Sequence, residues 1–219
     1  MIYVDAFQKV IRFRLAHAML GRPYYFTAAY WVDGLLIDTG PAKTAHQLVH
    51  ALQGLAVNRI VNTHSHEDHI GGNAAVQRAF GCPILAHPQA LPILADPSLQ
   101  RLQPYRKLFW GKPLPAPGEP LGEQVTTDRY HFQVIPTPGH SPDHISFFEP
   151  ENRWLFTGDA YIGGQDRALR AEYRIWHIID SLKRLADLEP ASLFTGSGSV
   201  HEHGRDLRRR AGRPGRPAL

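Results

Sequence analysis

The sequence predicts a layered α/β fold on three observations. Short apolar strand patterns alternate with helical ones along the chain. An Asp-Gly pair stands between two apolar runs near the amino end, the strongest short hairpin signal. Acidic or imidazole groups recur at the carboxyl ends of strands, where loops converge and sites form in layered α/β proteins. A chain of 219 residues can bury a substantial core. Residues 1–204 are read as one domain and 205–219 as a basic, disordered tail.

In order, the first forty residues read as antiparallel strands. Residues 11–15 alternate, and residues 24–32 turn back through Asp33-Gly34 into Leu35-Leu36-Ile37. Residues 42–54 carry a helical pattern ended by Gly54. A strand at 59–63, a helix over 70–80 stopped by Gly81 and a strand at 83–86 form a βαβ-like unit. Residues 87–128 hold many of the prolines and read as an irregular insertion, either a lid carrying Tyr105, Phe109 and Trp110 or a purely structural segment. Strands resume at 130–135 and 144–149, with a turn at 150–152 into 153–157. A helix over 168–187 places Ile175, Ile178, Ile179, Leu182 and Leu185 at three- and four-residue steps, giving one buried face. A last strand, 192–195, precedes the tail.

The most informative run is Thr63-His64-Ser65-His66-Glu67-Asp68-His69. It sets His64, His66, Asp68 and His69 within six positions at the end of an apolar strand. Imidazole nitrogen and carboxylate oxygen are the donors that zinc and similar ions take from proteins. Three further groups stand in matching contexts. His140 lies on the turn Pro136-Thr137-Pro138-Gly139-His140-Ser141, Asp159 follows Trp154-Leu155-Phe156-Thr157-Gly158, and Asp38 follows Leu35-Leu36-Ile37.

On these residues the chain resembles the metallo-β-lactamase superfamily, whose His-x-His-x-Asp-His signature matches His64 to His69. The resemblance runs from about residue 25 to about residue 200. It implies a four-layer αβ/βα sandwich, two mixed β-sheets flanked by helices, with the site at one edge between the halves. It also implies two divalent metal ions, expected as Zn2+ with Mn2+ or Fe2+ as alternatives. His64, His66 and His140 would hold the first, Asp68 and His69 the second, and Asp159 would bridge them. Such ions lower the pKa of a shared water and generate hydroxide near neutral pH. Asp68 would orient the attacking water and shuttle a proton to the leaving group. Asp38 would support a ligand histidine through its second nitrogen.

One position departs from the pattern. Ser197, in Thr195-Gly196-Ser197-Gly198, stands where hydrolytic relatives carry a further histidine for the second metal. A serine hydroxyl is a poor zinc ligand. The second site is therefore expected to be present but weaker, with rescue by His201 or His203, or completion by water and substrate, as the other outcomes. His201 and His203 otherwise read as exposed residues opening the tail. His144 reads as a packing or supporting residue, and His87 as a neighbour of the site or simply the end of a strand. His17, His46, His50, His131 and His177 read as surface or half-buried residues. Tyr161 and Arg167 are the candidate substrate contacts, the first for an oxyanion and the second for an anionic group.

Composition narrows the function classes. The single cysteine, Cys82, excludes an internal disulfide framework and reads as a buried, inert thiol. The amino-terminal residues lack the basic-then-apolar layout of a signal peptide, and no apolar run reaches about 18 residues, so a cytoplasmic protein without a membrane span is expected. Six arginines against Glu202 and Asp206, all after position 200, account for the whole net charge of +4. The remaining chain is neutral, which disfavours a nucleic-acid groove and hence a nuclease. The leading expectation is a metal-dependent hydrolase using metal-bound hydroxide on a small ester, lactone, thioester or phosphoester. The alternative is a mononuclear iron oxygenase resembling persulfide dioxygenases, with His64, His140 and Asp159 as ligands. The partner expected is a small-molecule substrate. The oligomeric state stays open, a homodimer among the options.

Overall fold

The computed structural model describes residues 1–19, 22–163 and 174–202. Two mixed sheets organise it. The first runs β1 (Ile2–Phe7), β2 (Val10–Met19), β3 (Arg22–Val32), β4 (Leu35–Ile37), β5 (Arg59–Val61), β6 (Ile84–Ala86) and β7 (Glu119–Pro120) in chain order. β1 to β4 pair antiparallel and β4 to β7 pair parallel. The β3–β4 hairpin closes through Asp33 and Gly34, with φ of 47° and 85°. Positive φ at both central residues is the type I′ requirement, whose twist suits a two-residue hairpin.

The second sheet holds β8 (Gln124–Thr126), β9 (His131–Pro136), β10 (Ile145–Glu149), β11 (Trp154–Gly158), β12 (Ser192–Thr195) and β13 (Val200–Glu202). β8 to β11 form an antiparallel meander. Its β10–β11 turn is tied by the buried Glu149 carboxylate, which accepts from the amides of Glu151 and Asn152 at 3.1 and 2.7 Å. β12 lies parallel to β11 because helix α6 (Ile175–Asp187) provides the crossover.

Three apolar layers separate four structural ones. Phe13, Leu36, Ile60, Leu48 and Val76 bury the outer face of the first sheet under helices α1 (Ala45–Ala51) and α3 (Asn73–Phe80). Tyr30, Ile37, Val61, Phe132, Phe147, Trp154, Phe156 and Phe194 fill the space between the sheets. Phe148, Leu155, Leu185 and Leu193 pack α6 against the second sheet. The result is the expected αβ/βα sandwich. Phe156 stacks on Phe194 with centroids 4.7 Å apart and meets Tyr30 edge-on at 5.4 Å, which locks the two sheets at their centre.

Several boundaries differ from the expected ones. The pattern over 42–54 becomes a 3₁₀ turn, Ala42–Thr44, followed by the shorter α1. The helix expected over 70–80 is two pieces, α2 (Glu67–Ile70) and α3, broken at Gly71-Gly72. That break sits hard against the 39–42 turn: a Cβ on Gly71 would lie 2.2 Å from Ala42 N, and one on Gly72 would lie 2.5 Å from Thr39 O. β1 lies within the antiparallel strands expected over the first forty residues, but its mostly exposed side chains give no alternation to mark its bounds. The insertion is more regular than its composition suggested. It contains α4 (Leu91–Ala95), α5 (Pro104–Phe109), two 3₁₀ turns and the short strands β7 and β8, with Pro104 opening α5 where a missing N–H costs nothing. Of the helix expected over 168–187, residues 168–173 lie outside the described ones, as does the tail 205–219. No helix among the described residues is long and apolar enough to cross a membrane.

Truncating the ring at the centre of the inter-sheet layer tests this packing. Phe156→Ala should cost about 3–5 kcal/mol of unfolding free energy, read from the denaturant midpoint with an unchanged slope. A loss below about 1 kcal/mol would mean that the two sheets do not depend on that contact.

Candidate metal centre

The first half of the centre is built around Asp38, at the carboxyl end of β4. Its φ of 59° is left-handed, an uncommon state for a non-glycine residue. This conformation accompanies a buried carboxylate with three donors. Oδ1 accepts from Thr63 N at 2.8 Å, and Oδ2 lies 2.7 Å from Thr63 Oγ1 and 2.8 Å from His69 Nδ1. Two strand ends and helix α2 are thereby tied at one point.

Proton counting then fixes where the imidazoles present their lone pairs. Thr63 has one hydroxyl proton and gives it to Asp38, so its contact with His64 Nδ1 at 3.0 Å requires that nitrogen to donate. His69 likewise donates from Nδ1 to Asp38. Each ring therefore turns Nε2 toward the site. Both Nε2 atoms are buried with no hydrogen-bond partner, and His69 Nε2 stands 3.3 Å from Asp159 Oδ1. A buried polar atom without a partner is costly; His64 Nε2 offers a lone pair, and His69 Nε2 offers a second once a cation displaces the proton that Asp159 holds there.

The second sheet supplies the other half. His140 Nε2 lies 2.9 Å from His66 Nδ1 and 3.4 Å from Asp159 Oδ2. His144, fully buried on the same turn, accepts the Asp159 amide at Nε2 (3.0 Å) and contacts Thr137 Oγ1 through Nδ1 (2.8 Å), so it clasps Asp159 in place and offers no lone pair to a metal. The Asp143 carboxylate accepts from Ser65 N at 2.8 Å and joins this turn to the His64–His66 segment.

Ligand-type atoms converge in two overlapping sets, His64 with His66 and His140, and His64 with His69 and Asp159. Within each set they lie within 4.8 Å of one another. Asp68 belongs to neither set, although it is half-buried in the same helix. Burial holds His64, His66 and His144 well below the usual imidazole range, and the neighbouring imidazoles add to the effect. Burial also opposes a charge on His69, but Asp159 and Asp38 outweigh it and hold that ring well above the usual range. Asp159 is the reverse: burial would raise it, yet His69, His140 and His144 pull it far below an ordinary carboxylate. For Asp68, burial is the largest influence and shifts the carboxyl upward, with His69 opposing and Asp159 reinforcing.

Other residues singled out in the sequence make contacts of their own. The Ser197 hydroxyl donates to the Ile162 carbonyl at 2.7 Å and contacts Thr195 Oγ1, so its proton is committed to the loop backbone. Tyr161 is buried in the layer under α6, its ring 5.9 Å from that of His201. His201 is half-buried in β13, paired with Leu193; the reading of it as an exposed start of the tail is corrected by this edge strand. His87 caps the 3₁₀ turn Pro88–Ala90, its ring accepting from Gln89 N at 3.2 Å. His17 and His131 are half-buried, and His46, His50 and His177 are exposed. Cys82 is buried. Arg167 and His203 lie outside the described residues.

Sequence reasoning missed the contacts that brace the ligand loop. Arg106 of α5 forms a two-point ion pair with Glu67, at 2.5 and 2.6 Å, and Glu67 is fully buried between His66 and Asp68. Burial and Asp68 push the Glu67 carboxyl up to about 7, and Arg106 opposes them. Gln100 adds a bond from Nε2 to Ser65 O at 2.7 Å, so the insertion braces the ligand loop from outside. No local signal marked Arg106. Asp143, three residues past His140 in one turn, was open to recognition.

Comparison with known proteins bears on the family and the fold. A sequence profile described as the metallo-beta-lactamase superfamily matches residues 24–197. The chain is 29% identical over 162 residues to a hydroxyacylglutathione hydrolase of Bdellovibrio bacteriovorus, covering 72% of this chain and 55% of that protein. It is 27% identical over 201 residues to the probable metallo-hydrolase YflN of Bacillus subtilis, covering 75% of each. The chain thus spans little more than half the length of the Bdellovibrio protein. Among solved structures, TTHA1623 in a di-iron-bound form is 31% identical with a TM-score of 0.66, covering 85% of this chain and 94% of that one. A metallo-beta-lactamase from Pontibacter korlensis has a TM-score of 0.76 at 20% identity, covering 96% and 97%, and shows the shared fold.

Two outcomes test the centre. His69 is held protonated near neutral pH, so a metal must displace that proton, whereas His64 and His66 are already neutral. Zinc binding at pH 7 should release about one proton per chain, and affinity should rise with pH until His69 deprotonates unaided. Calorimetry in buffers of different ionisation heat measures this; no net release would refute the assignment. Arg106→Ala should weaken metal affinity by roughly 10-fold or more, with Arg106→Lys intermediate because ammonium cannot reproduce the two-point fork. Unchanged affinity in a chelator competition would make the pair incidental to the centre.

Proposed function

The chain belongs to the metallo-β-lactamase superfamily of metallo-hydrolases, and on that premise we propose that it is a metal-dependent hydrolase of small acyl thioesters or esters. The observation that carries the reading is the convergence of the buried Nε2 atoms of His64 and His69 on the Asp159 carboxylate, with no neutral hydrogen-bond partner for either among the described residues. In this reading His64, His66 and His140 hold one cation. His69, Asp68 and Asp159 hold a second, more weakly, because the Ser197 hydroxyl is turned to Ile162 O. Bound divalent cations, expected as Zn2+, supply Lewis acidity: they lower the pKa of water and polarise the scissile carbonyl.

The chain's own residues do the rest. Asp38 and Thr63 fix the donor nitrogens of His69 and His64, and His144 fixes Asp159. Asp68, the acidic group of the loop outside the two tight sets, orients the attacking water and carries its proton toward the leaving group. The thioester class is supported by the names of curated relatives, hydroxyacylglutathione hydrolases, from Bdellovibrio bacteriovorus and Stenotrophomonas maltophilia, which are 29% and 32% identical to this chain. The short second ligand set favours one rival, a mononuclear iron oxygenase held by His64, His140 and Asp159.

Chelation should abolish thioester hydrolysis and zinc should restore it. Asp68→Asn should lower kcat by roughly 100-fold or more while the first metal stays bound. Hydrolysis that survives chelation would sink the hydrolase reading. A single iron per chain together with oxygen-dependent thiol oxidation would establish the rival.

A further inference from the structure

Beside the His140 turn lies a cavity of about 320 Å³ that none of the ligand residues lines. Its walls come from three separated segments: Gly139 and Ser141 on either side of His140, Arg174 and His177 at the amino end of α6, and Gln89 after β6, with Pro138 and Pro142 as apolar faces. These walls are held in register. Arg174 N donates to Gly139 O at 3.2 Å, Ser181 Oγ to Pro138 O at 2.8 Å, and Arg184 Nη1 to Pro136 O at 2.5 Å. Gly139 has a φ of 140°, and a Cβ there would lie 2.7 Å from Ile178 N, so the helix backs directly onto the turn. The cavity is thus part of the packed seam between α6 and the metal-ligand turn.

Its chemistry is one-sided. Among the described residues, the lining side chains that carry polar groups are a guanidinium, an imidazole, an amide and a hydroxyl, with no carboxylate. Ser141 is buried, and its Oγ has no hydrogen-bond partner among the described residues. Arg174 is a permanent cation with a planar fork of donors suited to a carboxylate. The space falls at the lower end of small-molecule pockets. An occupant against Gly139 and Ser141 lies one residue from His140, and neighbouring Cα atoms are about 3.8 Å apart.

We infer that this cavity binds a carboxylate carried by the substrate, gripped by Arg174 with His177 and Gln89 beside it, so that the substrate class is an anionic acyl thioester or ester. The inference rests on the hydrolase reading for its acyl group but not for the anion site itself. One permanent cation between two proline faces suits a single negative charge on a short carbon chain better than a phosphate, which carries close to two.

The test pairs binding with kinetics on the metal-loaded protein. Succinate is titrated while the ring signals of His177 are followed by NMR, in the wild type and in Arg174→Ala. Hydrolysis of the succinyl thioester of N-acetylcysteamine is then compared with that of its methyl ester. Succinate should shift His177 in the wild type and fail to do so in Arg174→Ala. The substitution should raise KM for the succinyl thioester by roughly 10-fold and that of the methyl ester far less, with Arg174→Lys recovering part of the loss. Arg174-dependent succinate binding without any thioester hydrolysis would uphold the anion site and overturn the hydrolase reading. Equal effects on both thioesters, or a His177 signal indifferent to succinate, would overturn the site. Tighter Arg174-dependent binding of inorganic phosphate than of succinate would overturn the carboxylate assignment.

Discussion

The buried carboxylate of Asp38 is the constraint on which the centre depends. A charged group inside a protein is tolerated only where donors replace its water. Here Thr63 supplies two donors and His69 a third, from two segments that follow β4 in the chain. Because those donors are spent on Asp38, the tautomers of His64 and His69 are settled before any ligand arrives. Pre-set ring orientation is what separates a metal site from a cluster of histidines. The left-handed backbone of Asp38 is the local cost of aiming its carboxylate this way.

The second dependence is the seam between the sheets. His64, His66 and His69 leave the first sheet, while His140 and Asp159 leave the second. Their spacing is therefore set by the aromatic layer centred on Phe156 and by a few cross-seam bonds. Ile145 N donates to Thr63 O at 2.8 Å, Tyr30 Oη to Thr195 O at 2.6 Å, and Ser65 N to Asp143 at 2.8 Å. The inter-sheet core positions the chemistry as directly as the ligand loop does.

Two side chains of the insertion over 87–128 brace the ligand loop. Arg106 on buried Glu67 and Gln100 on Ser65 O hold the ligand loop from its outer side, and Phe109 packs edge-on against Tyr25 of β3 at 5.2 Å. Breaking a buried pair of this kind leaves an uncompensated charge, so its worth lies in fixing geometry more than in net stability.

What the sequence determined was whatever local chemistry and periodicity encode. The His64–His69 run, the Pro/Gly turn under His140, the strand before Asp159 and the Asp33-Gly34 hairpin each announce themselves within a few residues; they gave the donor types and carried the resemblance that implied the two-sheet architecture. Boundaries failed where a distant contact overrode local pattern, as at Gly71-Gly72 against the 39–42 turn, or where an edge strand such as β1 buries too little to show a period. Tertiary structure alone decided which imidazole nitrogen faces the site, where the Ser197 hydroxyl spends its proton, and that Arg106 braces the ligand loop. The physical reason is separation along the chain. Arg106 and Glu67 are 39 residues apart, and Asp143 and Ser65 are 78 apart. No pattern read within a few turns of chain records a contact made only when two sheets close on each other.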